Sequence, residues 1–454
     1  MQPKSAHMPQ LLLLPVEIQE AILAQVDSRA SLASLARVCR HLQPLAERLL
    51  YQSVYLRNGG GETFAHAIDR APERATHVRE LLVHYHYVDV PDEEDYYPLY
   101  AESLAPTIER LVNLKSLVVK GLEYDAPRDD DDDILGGYER VIEEAKKWDH
   151  LFMQSAVSGS RILPSLTKCV LVMDDLDRSR ELWDFDLRAN VMIHPHLRDL
   201  TIVGASISSL LSLVTSPRST ALENLVLECC CVSPEGIRDI FSTPRGLKHF
   251  TLKGAPWTDK PSYFPGDRQT YIDVVSVQAD SLATLDMDFP PGLASNPALD
   301  FRALQHLQEL TVDPVALRGD GDLDPRDKLD LLRSPDLKCQ LPPSIQRLVF
   351  FEYYEGKVPD LHTLLLVYNW ISQGSLPNLR SITIRSGRSS ADTILNRVFG
   401  DIGGRTFYEA FQTVGVELRV ESALLSTKAG YQLFDCSSCG VCWRIPGFTS
   451  FPTW

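Results

Sequence analysis

The chain has 454 residues and a formal net charge of -16, with 45 Lys plus Arg against 61 Asp plus Glu. Hydrophobic residues make up 44% and charged residues 23%, the composition of a globular chain and not of a disordered one. The acid excess argues against broad nucleic-acid binding, which draws its affinity from Lys and Arg at phosphates. The longest apolar runs, Leu11–Leu14 and the stretch around Leu364–Val367, fall far short of the roughly 20 residues that a membrane span needs.

After a short tail over 1–10, four leucines lead at once into Pro15 and Glu17, which does not read as a secretory signal. Nine cysteines, an odd number at low density, read as reduced thiols in a reducing compartment. The expected location is therefore cytoplasmic or nuclear. Pro15 suits the first turn of a helix, where its missing N–H is no loss. Ile18, Ile22 and Val26 recur every four residues as one apolar stripe. Asp27 and Ser28 interrupt it, and Ser31 is the expected N-cap of a second helix carrying Leu32, Leu35, Val38, Cys39 and Leu42. Pro44 opens a third helix lined by Leu45, Leu49 and Leu50. Three short helices bury too little surface to be stable alone. Their surplus apolar side chains must pack on the rest of the chain or on another protein.

This segment, 11–57, resembles an F-box. Leu14-Pro15 followed by Glu17, then Ile18, Ile22, Val26, Leu32, Leu35, Val38, Cys39 and Leu45, fall where that family has its apolar and Pro positions. The ending Leu50-Tyr51-Gln52-Ser53-Val54 is similar to the LYxxV of fungal members. His41-Leu42 stands where many members carry a tryptophan. The resemblance implies docking on the Skp-type adaptor of a cullin–RING ubiquitin ligase. It makes Leu14, Pro15, Ile18, Ile22, Leu32, Leu35, Val38 and Cys39 the candidate adaptor-binding residues.

From about Val78 a second pattern takes over: apolar, two residues, apolar, one residue, apolar. Clear instances are Leu114/Leu117/Val119, Leu197/Leu200/Ile202, Leu222/Leu225/Leu227, Leu247/Phe250/Leu252, Leu282/Leu285/Met287, Leu307/Leu310/Val312, Ile345/Leu348/Phe350 and Leu379/Ile382/Ile384. Val78/Leu81/Val83 and Leu166/Cys169/Leu171 are weaker. The alternation in the last two positions suits a strand with one buried face. Leu200, Leu225 and Phe250 are 25 residues apart, as are Leu285 and Leu310. Longer intervals leave room for helices over Tyr138–Phe152, Arg268–Gln278 and Leu361–Ser372, with a shorter one opened by Ser233-Pro234.

The expected fold is α/β. A three-helix segment precedes an irregular leucine-rich-repeat solenoid over 58–430, with a curved parallel sheet and outer helices. A general α/β domain with uneven βα units is the alternative. On the solenoid reading, the side chains between the apolar strand positions, mixed and mostly polar, face the concave surface. Arg198, Glu223, Lys248, Asp286, Glu309 and Arg380 are then candidate target-binding residues, beside Asp199, Thr201, Asn224, Val226, His249, Thr251, Asp288, Thr311, Ser381 and Thr383. No dense Arg cluster lies between the strands.

Asp129 to Asp133 reads as a solvated acidic loop, without EF-hand spacing. Cys436, Cys439 and Cys442 end the chain in a Cys and aromatic tail over 431–454. A CxxC turn can bind zinc, but structural zinc takes four ligands, and no fourth follows here. The Cys229-Cys230-Cys231 run reads as core and turn. The histidines, including His84 with His86 and His194 with His196, lack partners at metal spacing. GxSxG, HExxH, Walker and GxGxxG motifs are absent from the sequence. The reading is a non-catalytic receptor without cofactor or metal, partnered by the adaptor, through it a cullin, and an unidentified target protein, with no nucleic acid and no membrane. The alternative is a leucine-rich scaffold without a ligase, its N-terminal helices only capping the repeats.

Overall fold

Parallel strands need a crossover between neighbours, so a helix or long loop must separate each pair in sequence. Spacings of 25 to 52 residues between successive apolar triplets provide that room. The computed structural model describes residues 10–26, 28–57, 60–84, 104–121, 135–157, 159–172, 183–210, 217–253, 267–288, 297–318, 338–352, 361–386, 390–422, 432–436 and 440–444. These fall into two compact units divided after Val172. No helix among the described residues is long and apolar enough to cross a membrane.

The first unit opens with a 3-10 turn, Gln10–Leu13, and three helices: α1 (Val16–Leu23), α2 (Arg29–Val38) and α3 (Gln43–Gln52). Strand β1 (Ser53–Arg57) leaves α3 directly. Then come α4 (Gly60–Arg70), a 3-10 segment (Pro72–His77), β2 (Glu80–His84), α5 (Ala105–Ile108), β3 (Ser116–Lys120), α6 (Leu135–Ala156) and β4 (Lys168–Val172). The strands pair in sequence order, all parallel. Val54, Leu81, Leu117 and Cys169 stand in one row, Leu56, Val83, Val119 and Leu171 in another, and all eight are buried. The F-box-like segment thus contributes the first strand, which the triplet pattern placed only from Val78 on.

Leu82, Val118 and Val170, on the other face of the same strands, are buried as well, at 5%, 1% and 1% exposure. The expectation of a polar, open second face is corrected here. These strands are apolar on both sides, as is usual where a parallel sheet is covered on both faces.

In the second unit the strands β6 (Asp199–Val203), β8 (Asn224–Glu228), β10 (His249–Lys253), β11 (Thr284–Asp288), β12 (Glu309–Val312), β13 (Arg347–Glu352), β14 (Ser381–Ser386) and β15 (Glu417–Ser422) also pair in sequence order and parallel. Leu200, Leu225, Phe250, Leu285, Leu310, Leu348, Ile382 and Leu418 form one buried row. The 25-residue spacing is the distance along the chain that returns each strand to this register. Three short strands, β5 (Trp183–Asp184), β7 (Ala205–Ile207) and β9 (Cys231–Val232), make a small parallel sheet. A hairpin, β16 (Gln432–Cys436) with β17 (Gly440–Arg444), follows β15.

Helices α7 (Pro234–Ser242), α8 (Arg268–Val275), α9 (Val315–Arg318), α10 (Leu361–Ser372), α11 (Ser390–Leu395) and α12 (Phe407–Thr413) fill the connections. Ser233 caps α7, its hydroxyl accepting from the Gly236 N–H, with Pro234 in the first turn. Gly236 is required there, since a Cβ would sit 2.9 Å from the Ile207 carbonyl oxygen. Phe241 of α7 stands edge-on to Phe250 of β10 at 4.8 Å between ring centres. The Gln278 side chain fastens the next turn: its amide donates to the Phe241 carbonyl, and its oxygen accepts from the Leu247 N–H. Tyr271 donates to the Val232 carbonyl and Thr363 to that of Pro314.

The six cysteines whose side chains are described, Cys39, Cys169, Cys229, Cys230, Cys231 and Cys339, are free thiols. Burial holds the Cys169 and Cys230 thiols far above the ordinary range, so both stay protonated. Cys229 turns the chain at a φ of 53°, and Cys230 donates to the Glu228 carbonyl. Among the described residues no group of His, Cys, Asp and Glu could hold a metal ion. Cys439 and Asp129 to Asp133 lie outside the described residues, as do the side chains of Cys436 and Cys442.

On the second face of β8, β10 and β11, Lys253 reaches 3.9 Å from Glu228 and 4.0 Å from Asp286, while Glu228 is 2% and Asp286 0% exposed. Removing a cation from beside buried carboxylates is costly, since the burial penalty of the anions remains. Lys253→Met is expected to lower the stability of the chain by about 3–5 kcal/mol, read as a lower urea midpoint with an unchanged slope. A change under about 0.5 kcal/mol would mean that the ammonium does not support this pair.

Candidate functional site

The site is built by how little of α1 its neighbours cover. Gln19 and Leu23 point inward, whereas Ile18 and Ile22 are 48% and 42% exposed. Positions four apart share one flank of a helix, so Ile18 and Ile22 lie side by side. Leu13, Leu14 and Val16, with Pro15 as the N-cap of α1, continue the open surface toward the amino end. Leu13 and Val16, at 69% and 46% exposure, were not singled out from the sequence. Their periodicity is no different from that of core positions, and only the fold tells them apart.

Beneath this flank, Leu23, Leu32, Leu42 and Leu50 form a small closed core, with Leu35, Cys39, Leu45 and Leu49 packed half-buried against it. Leu32 is therefore corrected from adaptor-binding candidate to core residue, at 6% exposure. Leu35 and Cys39 keep part of their surface in solvent. Val38 ends α2, and its side chain lies outside those described. Of the eight candidates, Leu14, Pro15, Ile18 and Ile22 are open together.

Polar ties hold the helices in this arrangement. The buried Gln19 amide donates to the Leu14 carbonyl at 2.8 Å, and the His41 imidazole donates to the Gln19 oxygen at 3.1 Å. His41 thus steadies the start of α1, while Leu42 fills the core. Arg29 donates to the carbonyls of Leu50 and Ser53, placing a cation at the C-terminus of α3 as the helix dipole favours. Ser28 is the N-cap of α2, accepting from the Ser31 N–H, in place of the expected Ser31. Arg48 of α3 pairs with Glu20 of α1 at 2.7 Å.

Glu47 anchors α3 to the Pro72–His77 segment through a two-pronged pair with Arg74, at 2.8 and 3.2 Å. The Arg74 guanidinium also covers the Tyr51 ring at 5.3 Å. Hydrogen bonding to Arg74 holds the Glu47 carboxyl below its ordinary value.

The candidate target-binding residues have a different setting. Arg198, Glu223, Lys248 and Arg380 each stand one residue before a strand and are at least partly exposed. Glu223 and Lys248 pair at 3.0 Å, and Glu309 pairs with Arg347 at 2.5 Å. Asp286 is corrected: it is fully buried, as is Thr311, and Thr251 is nearly so. Two cations stand over the Phe351 ring, Lys253 at 5.6 Å and Arg385 at 5.7 Å from its centre. Glu228, Lys253, Phe351 and Arg385 were not picked out from the sequence, because only the register brings strand ends together.

Two outcomes separate the open flank from the core. Ile18→Asp is expected to leave stability within about 0.5 kcal/mol of the parent, whereas Leu32→Ala is expected to cost about 2–5 kcal/mol; denaturant unfolding of both variants checks this. Since Glu47 has a lowered carboxyl value, its contribution to stability is present above the ordinary Glu range and is lost as pH falls through the lowered value. Arg74→Ala should therefore flatten the acid limb of the stability profile between those two values.

The chain has no significant match among curated proteins. The F-box-like family model matches residues 11–57. The open α1 flank therefore belongs to an F-box-like domain, a kind of domain that typically binds Skp-type adaptors.

Proposed function

We propose that the chain is the substrate-recognition subunit of a Skp–cullin–F-box type ubiquitin ligase. The observation that carries this reading is the set Leu13, Leu14, Ile18 and Ile22, exposed within the matched F-box-like domain. An apolar helix flank of this kind is a docking surface for a partner groove or helix. The partner is a Skp-type adaptor, and through it a cullin. The parallel sheet, read as a degenerate leucine-rich solenoid, holds the target protein. Arg198, Glu223, Lys248, Glu309 and Arg380, charged and accessible at strand starts, are the residues we assign to that contact.

On this reading the chain performs no bond chemistry. It raises the effective concentration of target lysines near the ubiquitin-carrying enzyme, turning a bimolecular encounter into a local one. It acts in the cytoplasm or nucleus, without metal or cofactor.

A second reading, a leucine-rich scaffold whose helices only cap the sheet, draws on the pairing of β1 with β2, which builds the end of the matched domain into the sheet. Deleting 1–57 would remove that strand and so cannot separate the two readings. Point substitutions on α1 can. Wild type is expected to co-purify with the Skp-type adaptor. Ile18→Asp combined with Ile22→Asp should weaken that binding by at least about a hundredfold, since hot-spot losses exceed about 2 kcal/mol. Equal binding by the double variant, or no binding by a folded wild type, overturns the receptor reading in favour of the scaffold.

A further inference from the structure

A cavity of about 300 Å³ opens where α3 ends and the chain turns into β2, lined by Arg48, Gln52, Thr76, His77 and Arg79. Two arginines and a histidine thus line one space in a chain whose net charge is -16. The backbone around it is pinned. The Arg79 N–H donates to the Gln52 carbonyl, the Arg79 carbonyl accepts from Lys115 and Ser116, and the Thr76 carbonyl accepts from the Asn113 amide. Arg48 has one counter-charge, Glu20. Among the described residues Arg79 has no carboxylate partner, and Glu47 is engaged by Arg74.

Like charges held together raise the energy of the empty site, and an anion relieves it. Burial, then the charges of Arg48 and Arg79, hold the His77 imidazole below its ordinary value, against the opposing pull of Glu47 and Glu73. The cavity is also separate from the docking flank. At 100° per residue, Glu20 lies roughly 160–200° around α1 from Ile22 and Ile18, so the side bearing Arg48 stays open when a partner covers those isoleucines.

We propose that this cavity binds a phosphate group, with Arg48, Arg79 and His77 as its cationic ligands and the Gln52 amide as a further donor; the Thr76 hydroxyl is already committed to the Glu73 carbonyl. A phosphate monoester brings close to two negative charges and three acceptor oxygens, which match this donor set better than the two oxygens of a carboxylate. The phosphate is either free in solution or carried on a protein side chain. The site does not depend on the adaptor reading.

The test uses the full chain with labelled histidine, the His77 signal being identified by its loss in His77→Gln. Inorganic phosphate, N-acetyl-phosphoserine amide and acetate are titrated at matched ionic strength. Phosphate is expected to shift the His77 signal saturably and to raise its pKa, because a bound anion favours the imidazolium. Arg79→Ala should weaken binding by at least about tenfold, the usual worth of a charge-assisted hydrogen bond, and Arg79→Lys by less. Tighter binding of the phosphoserine derivative than of phosphate assigns the site to a protein-borne group, and equal binding assigns it to the free anion. Acetate acting as well as phosphate, or unchanged affinity in a folded Arg79→Ala, overturns the proposal. Retention of the phosphate response in Ile18→Asp keeps this result apart from that of adaptor docking.

Discussion

An eight-residue helix that meets its core through Gln19 and Leu23 has no means of hiding the rest of its apolar side chains. The three-helix core is closed by four leucines, and a helix pair of ten residues each leaves no surface to wrap the other flank of α1. Burying Ile18 and Ile22 would be worth about 1.5–3 kcal/mol each, a gain that the three helices do not supply. The polar ties work in the same direction. Gln19 fixes the start of α1 and Glu20 fixes its side, so the helix cannot roll to bring the isoleucines inward. The open flank is held open by the folded domain itself.

The sheet obeys a different constraint. A parallel strand can satisfy its main chain only against neighbours in register, and within each unit each neighbour here is the next strand of the same sheet along the chain. The ten apolar triplets all end in strands for this reason. Their second and third members alternate toward the buried face, and the first packs just before the strand. Leu200, Leu225 and Phe250 show how a fixed spacing becomes a row. Strand β1 escaped because Val54 and Leu56 had already been accounted for by the helical segment. Strand β15 escaped because Gly415 stands where the triplet expects a large apolar side chain.

What the pattern could not reveal is what covers the opposite face. Polar residue type suggests exposure, yet Asp286 and Thr311 are fully buried. In the first unit the same positions hold Leu82, Val118 and Val170, whose chemistry already marked them as covered. Within the helices the difficulty was finer. Leu32 and Ile18 are equally apolar and equally periodic, and the difference between core and surface lies in whether Leu42 and Leu50 stand opposite. Capping carried the same one-turn ambiguity: Ser28 and Ser31 both suit an N-cap, and the tie between Arg29 and the end of α3 selects the earlier one.

The basic cavity was invisible in the sequence for a related reason. Arg48, His77 and Arg79 come from two segments with α4 between them, and none belongs to a charged run. They converge because β1 and β2 pair in register, which sets the turn before β2 against the end of α3 through the bond from Arg79 to Gln52. The strand that ties the F-box-like domain into the sheet therefore also gathers these cations. Of these cations Arg48 is answered by Glu20, while Glu47 is committed to Arg74 and leaves Arg79 without a carboxylate among the described residues. With Arg79 unanswered and the His77 imidazole held low by burial and by both arginines, an anion bound there would add the charge that the cluster lacks.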